Sequence, residues 1–97
     1  MAGACFHSLA RRELDDGARY YELESPGLGT SFLDEVERCA RSIIEHPQAG
    51  GAQWGNVRRR LLRRFPYALL YSIVPGGIRI LAVMNLKRRP SYWVGRE

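Results

Sequence analysis

The sequence predicts an α+β domain of two layers, an antiparallel helical hairpin packed on a small antiparallel sheet, in the order βααβββ. Three observations predict it. Apolar residues recur at helical spacing in two segments before residue 46. Tyr67–Val74 is apolar on both faces, as a central strand would be. Pro75-Gly76-Gly77 is a tight hairpin signal leading into another apolar run. With 97 residues the chain makes a single domain, 1–97, without room for a second core.

Cys5–His7 reads as a short first strand in which Phe6 is the one strongly β-prone residue. Ser8 is placed to cap the helix that follows, its hydroxyl accepting a first-turn amide. From Leu9 to about Leu23, Ala10, Leu14, Ala18 and Tyr21 share one face, and the charged residues lie mostly elsewhere. Gly17 weakens this helix by about 1 kcal/mol relative to alanine, which points to close contact with a second helix. Tyr20 and Tyr21 read as packing residues. Ser25-Pro26-Gly27-Leu28-Gly29 breaks the pattern. Thr30 or Ser31 then caps the second helix, with Asp34 and Glu35 in its first turn. Phe32, Val36, Cys39, Ala40, Ile43 and Ile44 form its apolar stripe, so Cys39 is a core residue rather than a reactive thiol. His46-Pro47 ends the helix, with His46 beside the last carbonyls.

Gln48 to Asn56 reads as a loop from which Trp54 folds back as a lid on the core. Val57–Phe65 alternates imperfectly. Val57, Arg59, Leu61, Arg63 and Phe65 share one face, and Arg58, Arg60, Leu62 and Arg64 the other, as in a bulged strand or one with an exposed charged side. Ile78–Asn85 pairs with the central strand and carries Arg79 as its only charge. Lys87-Arg88-Arg89-Pro90 leaves the sheet, and Ser91-Tyr92-Trp93 packs back against it. Phe65 and Tyr71 are core residues whose truncation would cost about 3–5 kcal/mol.

The formal net charge of +5 conceals an asymmetry. Residues 1–57 carry five basic and nine acidic side chains, whereas residues 58–97 carry ten basic residues and only Glu97 as an acid. Such a half suits a polyanion or an acidic protein segment, against the plainer reading of a solvated basic face. The candidate functional surface is Arg58, Arg60, Arg64, Arg79, Lys87, Arg88, Arg89 and Arg96.

Other classes fall away. Two cysteines are too few for a disulfide framework, no apolar run approaches the roughly 20 residues of a membrane span, and no signal-peptide pattern is visible. A cytoplasmic protein without a membrane partner is the expectation. His7 and His46 form no ligand spacing, no glycine-rich phosphate loop links strand to helix, and no carboxylate pair lies among the strands. No metal or cofactor is therefore expected. One chemistry remains open. Arginines could stabilise a pentacoordinate phosphate while Lys87 or Tyr92 moves the proton. Either would need its pKa, near 10 when free, lowered by roughly 2–3 units, and neighbouring arginines push that way. A bare basic surface is the commoner arrangement, and no catalytic residue is favoured.

These residues together resemble the ParE/RelE superfamily, the toxins of type II toxin–antitoxin systems. The resemblance rests on the arginine-rich strand, Phe65-Pro66-Tyr67, Tyr71, Ile80-Leu81-Ala82-Val83 and the ending Arg89-Pro90-x-Tyr92-Trp93-x-x-Arg96. It includes the opening helix, its tyrosine pair and the Pro-Gly-Leu-Gly turn before Phe32, so it covers nearly the whole chain. It implies a βααβββ fold and an antitoxin whose disordered acidic and apolar segment wraps the toxin. It implies one of two actions: ParE-like members poison DNA gyrase by binding, and RelE-like members cut mRNA on the ribosome without a metal. For cutting, Arg60, Arg64, Arg79, Lys87 and Tyr92 are the positions that could serve, with Arg64, Arg79, Lys87 and Tyr92 as the nuclease set. Asn85 stands where a histidine is common in relatives and cannot titrate. The reading therefore favours a ParE-like gyrase inhibitor. A ribosome-dependent endonuclease and a non-toxic basic binding module are the alternatives.

Overall fold

The computed structural model describes residues 3–89 and 91–96. The expected departure of the chain at Pro90 and the Glu97 carboxylate lie outside them. Seven elements follow in order: β1 (Gly3–Phe6), α1 (Ser8–Glu24), α2 (Leu28–Glu45), β2 (Gly51–Trp54), β3 (Val57–Leu61), β4 (Tyr67–Val74) and β5 (Gly77–Asn85). The strands form one sheet in the order β1-β5-β4-β3-β2. The two-layer α+β arrangement is the one expected, with β4 at the centre. The sheet is mixed, because β1 runs parallel to β5 while the other three pairings are antiparallel.

The sheet buries both faces. On one, the two helices cover Leu69, Tyr71, Ile78, Ile80 and Val83. Tyr21, Phe32, Phe65 and Tyr67 join the helices to the sheet there, with ring centroids 4.8 to 6.1 Å apart. Edge-to-face packing of this kind adds to the area such rings bury. Tyr20, also expected to pack, touches the Tyr21 ring but is mostly exposed. On the other face Val57, Ala68, Leu70, Leu81, Ala82 and Met84 are covered by Trp93, so the C-terminal segment does pack back. Gly17 marks the expected close approach of the helices. A Cβ there would stand 2.9 Å from the Phe32 ring of α2.

The helix starts differ from those expected. His7, not Ser8, is the N-cap of α1, and its Nδ1 accepts the Leu9 amide at 3.0 Å. Helix α2 begins at Leu28, ahead of Thr30 and Ser31, after Gly27 takes the left-handed conformation (φ 88°). Its capping acceptor comes from the preceding helix. The Glu22 carboxylate accepts the amides of Gly27 and Gly29 at 3.0–3.1 Å. A carboxylate suits the positive end of the α2 dipole. Asp34 and Glu35 consequently fall beyond the first turn.

The stretch expected as a loop contains strand β2, and Trp54 is no lid. Pairing with β3 holds it opposite Val57 at the edge of the sheet, 63% exposed. The α2–β2 connection is held instead by Tyr71. Its fully buried hydroxyl donates to the Pro47 carbonyl at 2.7 Å and accepts the Gly50 amide at 3.2 Å. Cys39 is buried as expected, and burial pushes its thiol up to about 11.

β3 is shorter than the alternation suggested, ending at Leu61. Glu35, buried on α2, accepts the Arg63 amide at 2.6 Å and both Arg38 guanidinium donors at 2.8–2.9 Å. This draws the backbone out of the ladder into the turn before β4. The Arg38 hydrogen bonds first, then the Arg63 amide, pull the Glu35 carboxyl down to about 2 against the opposing effect of burial. Because the folded-state value lies below that of the unfolded chain, Glu35 stabilises the fold above about pH 4.5. That contribution is lost as the pH falls toward 2. Glu35→Gln should therefore destabilise by about 2 kcal/mol at neutral pH. In urea unfolding followed across pH, its deficit should shrink steadily below pH 4.5.

Candidate functional site

Strand geometry sorts the arginines of β3. Successive side chains leave a strand on opposite faces. Arg58 and Arg60 share the helix-covered face, and both are used within the fold. Arg58 donates to the carbonyls of Gln48 and Gly50 at 3.1 and 3.0 Å. Arg60 donates to Ser42 Oγ at 2.8 Å and to the His46 carbonyl at 3.0 Å. The Arg60 charge thus sits on the C-terminal end of α2, where the helix dipole favours it. Arg59, on the opposite face, has no carboxylate partner among the described residues.

A second group gathers where β5 ends. Lys87, Arg88 and Arg89 are exposed there. Arg64 is exposed in the turn between β3 and β4, at the same end of the sheet. It lies 5.6 Å from the centre of the Phe65 ring. Tyr92 lies between two guanidiniums, Arg88 at 4.1 Å and Arg96 at 5.0 Å from its ring centre. Arg79 stands apart. It lies near the start of β5, opposite Ser72 and Cys5, roughly 20 Å of strand from Asn85. Its Nη1 approaches Cys5 Sγ at 3.8 Å. The four residues of the nuclease set are therefore not brought together.

Arg96 belongs to the fold rather than to the open basic surface. Both its terminal nitrogens meet the Glu13 carboxylate, at 2.9 and 3.0 Å, and Nη1 also donates to the Leu81 carbonyl at 3.0 Å. Glu13 in turn accepts the Val83 amide at 3.0 Å. Topology explains the arrangement. β1 pairs with β5 only as far as Ile80, so Leu81 and Val83 face an edge without a strand. The ion pair occupies the place of the missing strand and satisfies both backbone groups, as buried polar groups require.

Proton transfer is poorly served by this cluster. Burial first, and then the nearby Glu13 carboxylate, push the Tyr92 hydroxyl well above its ordinary value, against the pull of Arg96 and Arg88. The arginines were expected to lower it, and they are outweighed. Asn85 lines an open cleft of about 380 Å³ with Glu13, Asp16, Tyr20, Tyr67, Lys87 and Arg88, and it cannot titrate. Among the described residues no group of three histidine, cysteine, aspartate or glutamate side chains could hold a metal. No helix among the described residues is long and apolar enough to cross a membrane.

A second concavity is apolar. Ala4, Phe6, Leu14, Leu33, Val36 and Ile44 line a groove of about 450 Å³ between β1 and the two helices, with Glu37 and Arg41 also lining it.

The family described as "ParE toxin of type II toxin-antitoxin system, parDE" matches residues 5–90. The chain belongs to the ParE toxin family. Among solved structures it resembles one titled "Chromosomal ParDE TA system from P. aeruginosa", with a TM-score of 0.74 at 17% identity. That likeness covers 86% of this chain and 94% of the other, and at this identity it speaks for a shared fold. No curated protein matches. The ParE match includes the helical hairpin, strands β2 to β5, the second half of β1 and the Lys87–Arg89 cluster, and it ends before Tyr92 and Arg96.

The Glu13–Arg96 pair gives a direct prediction. Arg96→Met should destabilise the fold by about 3 kcal/mol in urea unfolding, because it leaves a partly buried carboxylate unpaired. The double variant Glu13→Gln, Arg96→Met should cost clearly less than the two single changes added together.

Proposed function

We propose that this ParE-family protein is a toxin that acts by binding DNA gyrase and is neutralised by a cognate antitoxin. The match of the ParE family over residues 5–90 carries the reading. The exposed cations Arg64, Lys87, Arg88 and Arg89 supply the contact surface. Arg58, Arg60 and Arg96 act from within, by holding the surface in place. The antitoxin contributes an apolar, acidic segment that is disordered when free. Its apolar side chains enter the groove at Phe6, Leu33 and Ile44, and its carboxylates meet the basic half of the chain.

Binding rather than cutting is supported by the chemistry of the basic cluster. A ribosome-dependent endonuclease needs a group that moves a proton. Asn85 cannot do so, the raised Tyr92 hydroxyl is a poor base, and Arg79 is remote from Lys87.

Expression without the antitoxin should arrest bacterial growth with filamentation and gyrase-dependent DNA breaks. Co-expression of an acidic antitoxin from a neighbouring reading frame should restore growth. The double variant Lys87→Ala, Tyr92→Phe should remain as toxic as the parent, since it removes proton donors and keeps the ring between Arg88 and Arg96. Prompt loss of translation with cleaved mRNA, abolished in that variant while the fold and antitoxin affinity persist, would establish the nuclease instead. Unimpaired growth would establish a non-toxic binding module.

A further inference from the structure

Strand β2 closes the sheet, and among the described residues no strand pairs with its outer side. It pairs with β3 on one side only, and all four of its residues are exposed. Edge strands are ordinarily guarded by lysine, proline or inward-pointing charge. Gly51-Ala52-Gln53-Trp54 contains none of these, and the guards it has are its length of four residues and a register shift between Ala52 and Trp54. Two features mark one face of this edge. Trp54, opposite Val57, presents most of its indole to solvent. Gly51 lies opposite Arg59, and open space surrounds the position a Cβ would occupy. Arg59 can therefore extend across the glycine to the edge, and it has no carboxylate partner among the described residues.

We propose that the β2 edge takes up an extended acidic segment of a partner protein as a sixth strand. Backbone hydrogen bonds to β2 would supply the affinity, and two side-chain contacts the selectivity. An acidic residue of the incoming strand meets Arg59 across Gly51. An apolar residue two positions away, on the same face, packs against Trp54. Charge selects this occupant. The sequence has no acid between Glu45 and Glu97, so β2 and the strands beside it offer only positive charge. A second copy of the chain paired edge to edge would bring together two edges whose neighbouring strands carry only positive charge. A single-stranded nucleic acid could use the indole and the guanidinium, but it would leave the open backbone of β2 without partners. The edge is distinct from the apolar groove and from the Lys87–Arg89 cluster, and the inference does not depend on the toxin reading.

The test is a fluorescence titration of the full chain with a capped peptide of three Glu-Thr-Val-Thr repeats, in which glutamate and valine share one strand face. Trp54 emission should shift to the blue and saturate, and Trp54→Phe should remove the signal. Binding should weaken at least tenfold with Arg59→Glu, with lysine in place of the peptide glutamates, and with a peptide N-methylated at every internal amide. Equal binding of the N-methylated peptide would overturn the proposal, because strand pairing needs those amides. So would tighter binding of a twelve-nucleotide oligothymidylate, a dimer in sedimentation, or no saturable binding. The Trp54 and Arg59 variants should both keep the parent's circular dichroism. Any of these failures leaves the toxicity assays, and the reading they test, untouched.

Discussion

Side chains leave a β-strand on alternate faces, and this constraint decides what the consecutive arginines Arg58, Arg59 and Arg60 can do. The outer two point toward the helices and grip the end of α2 and the loop that follows it. The middle one points away and stays available. Much of the structure depends on that grip. The α2–β2 connection runs past Pro47 and Gly50, where the Tyr71 hydroxyl holds it from the central strand. Arginine suits the task because its planar group can donate to two acceptors at once while its charge sits on the negative end of a helix.

The two ends of the sheet meet their edges differently. Along β5 the first strand runs out at Phe6, and Glu13 with Arg96 continues its hydrogen bonding by side chain. The same contact fixes the C-terminal segment, which lets Trp93 cover the apolar face without helices. At the opposite edge β2 is bare. One edge is closed by an ion pair and the other is open, so the molecule has a polarity that its net charge does not reveal.

The hairpin, the central strand and its β5 partner were legible because their apolar periodicities are long and regular. The apolar Tyr67–Val74 and the stripe from Phe32 to Ile44 allow one interpretation each. What escaped the sequence were the contacts made by charged residues over long separations. Glu13 and Glu35 fall at helical spacing with the buried positions of their own helices, Glu13 with Ala10 and Gly17, Glu35 with Phe32 and Cys39. An acid inside an apolar stripe signals a buried partner, but not which one. Arg96 lies 83 residues from Glu13, and Arg63 lies 28 from Glu35. β2 was missed for a different reason. Gly51-Ala52-Gln53-Trp54 has little strand propensity and is held by its pairing with β3 alone. Of the candidate site, the exposed cations were found by composition, whereas the separation of Arg79 from Lys87 required the register of β5.

A positively charged half can consist of charges a fold needs and charges a partner needs, and composition does not separate them. Here Arg58, Arg60 and Arg96 are of the first kind, whereas Arg59, Arg64 and Lys87 through Arg89 have no carboxylate partner among the described residues. The most direct test compares two neighbours on one strand. In urea unfolding, Arg60→Met should lower stability by about 2 kcal/mol, because it keeps the aliphatic stem and removes the bonds to Ser42 and His46. Arg59→Met should change it by less than about 0.5 kcal/mol. Equal losses for the two variants would contradict the division of the arginines on which the account rests.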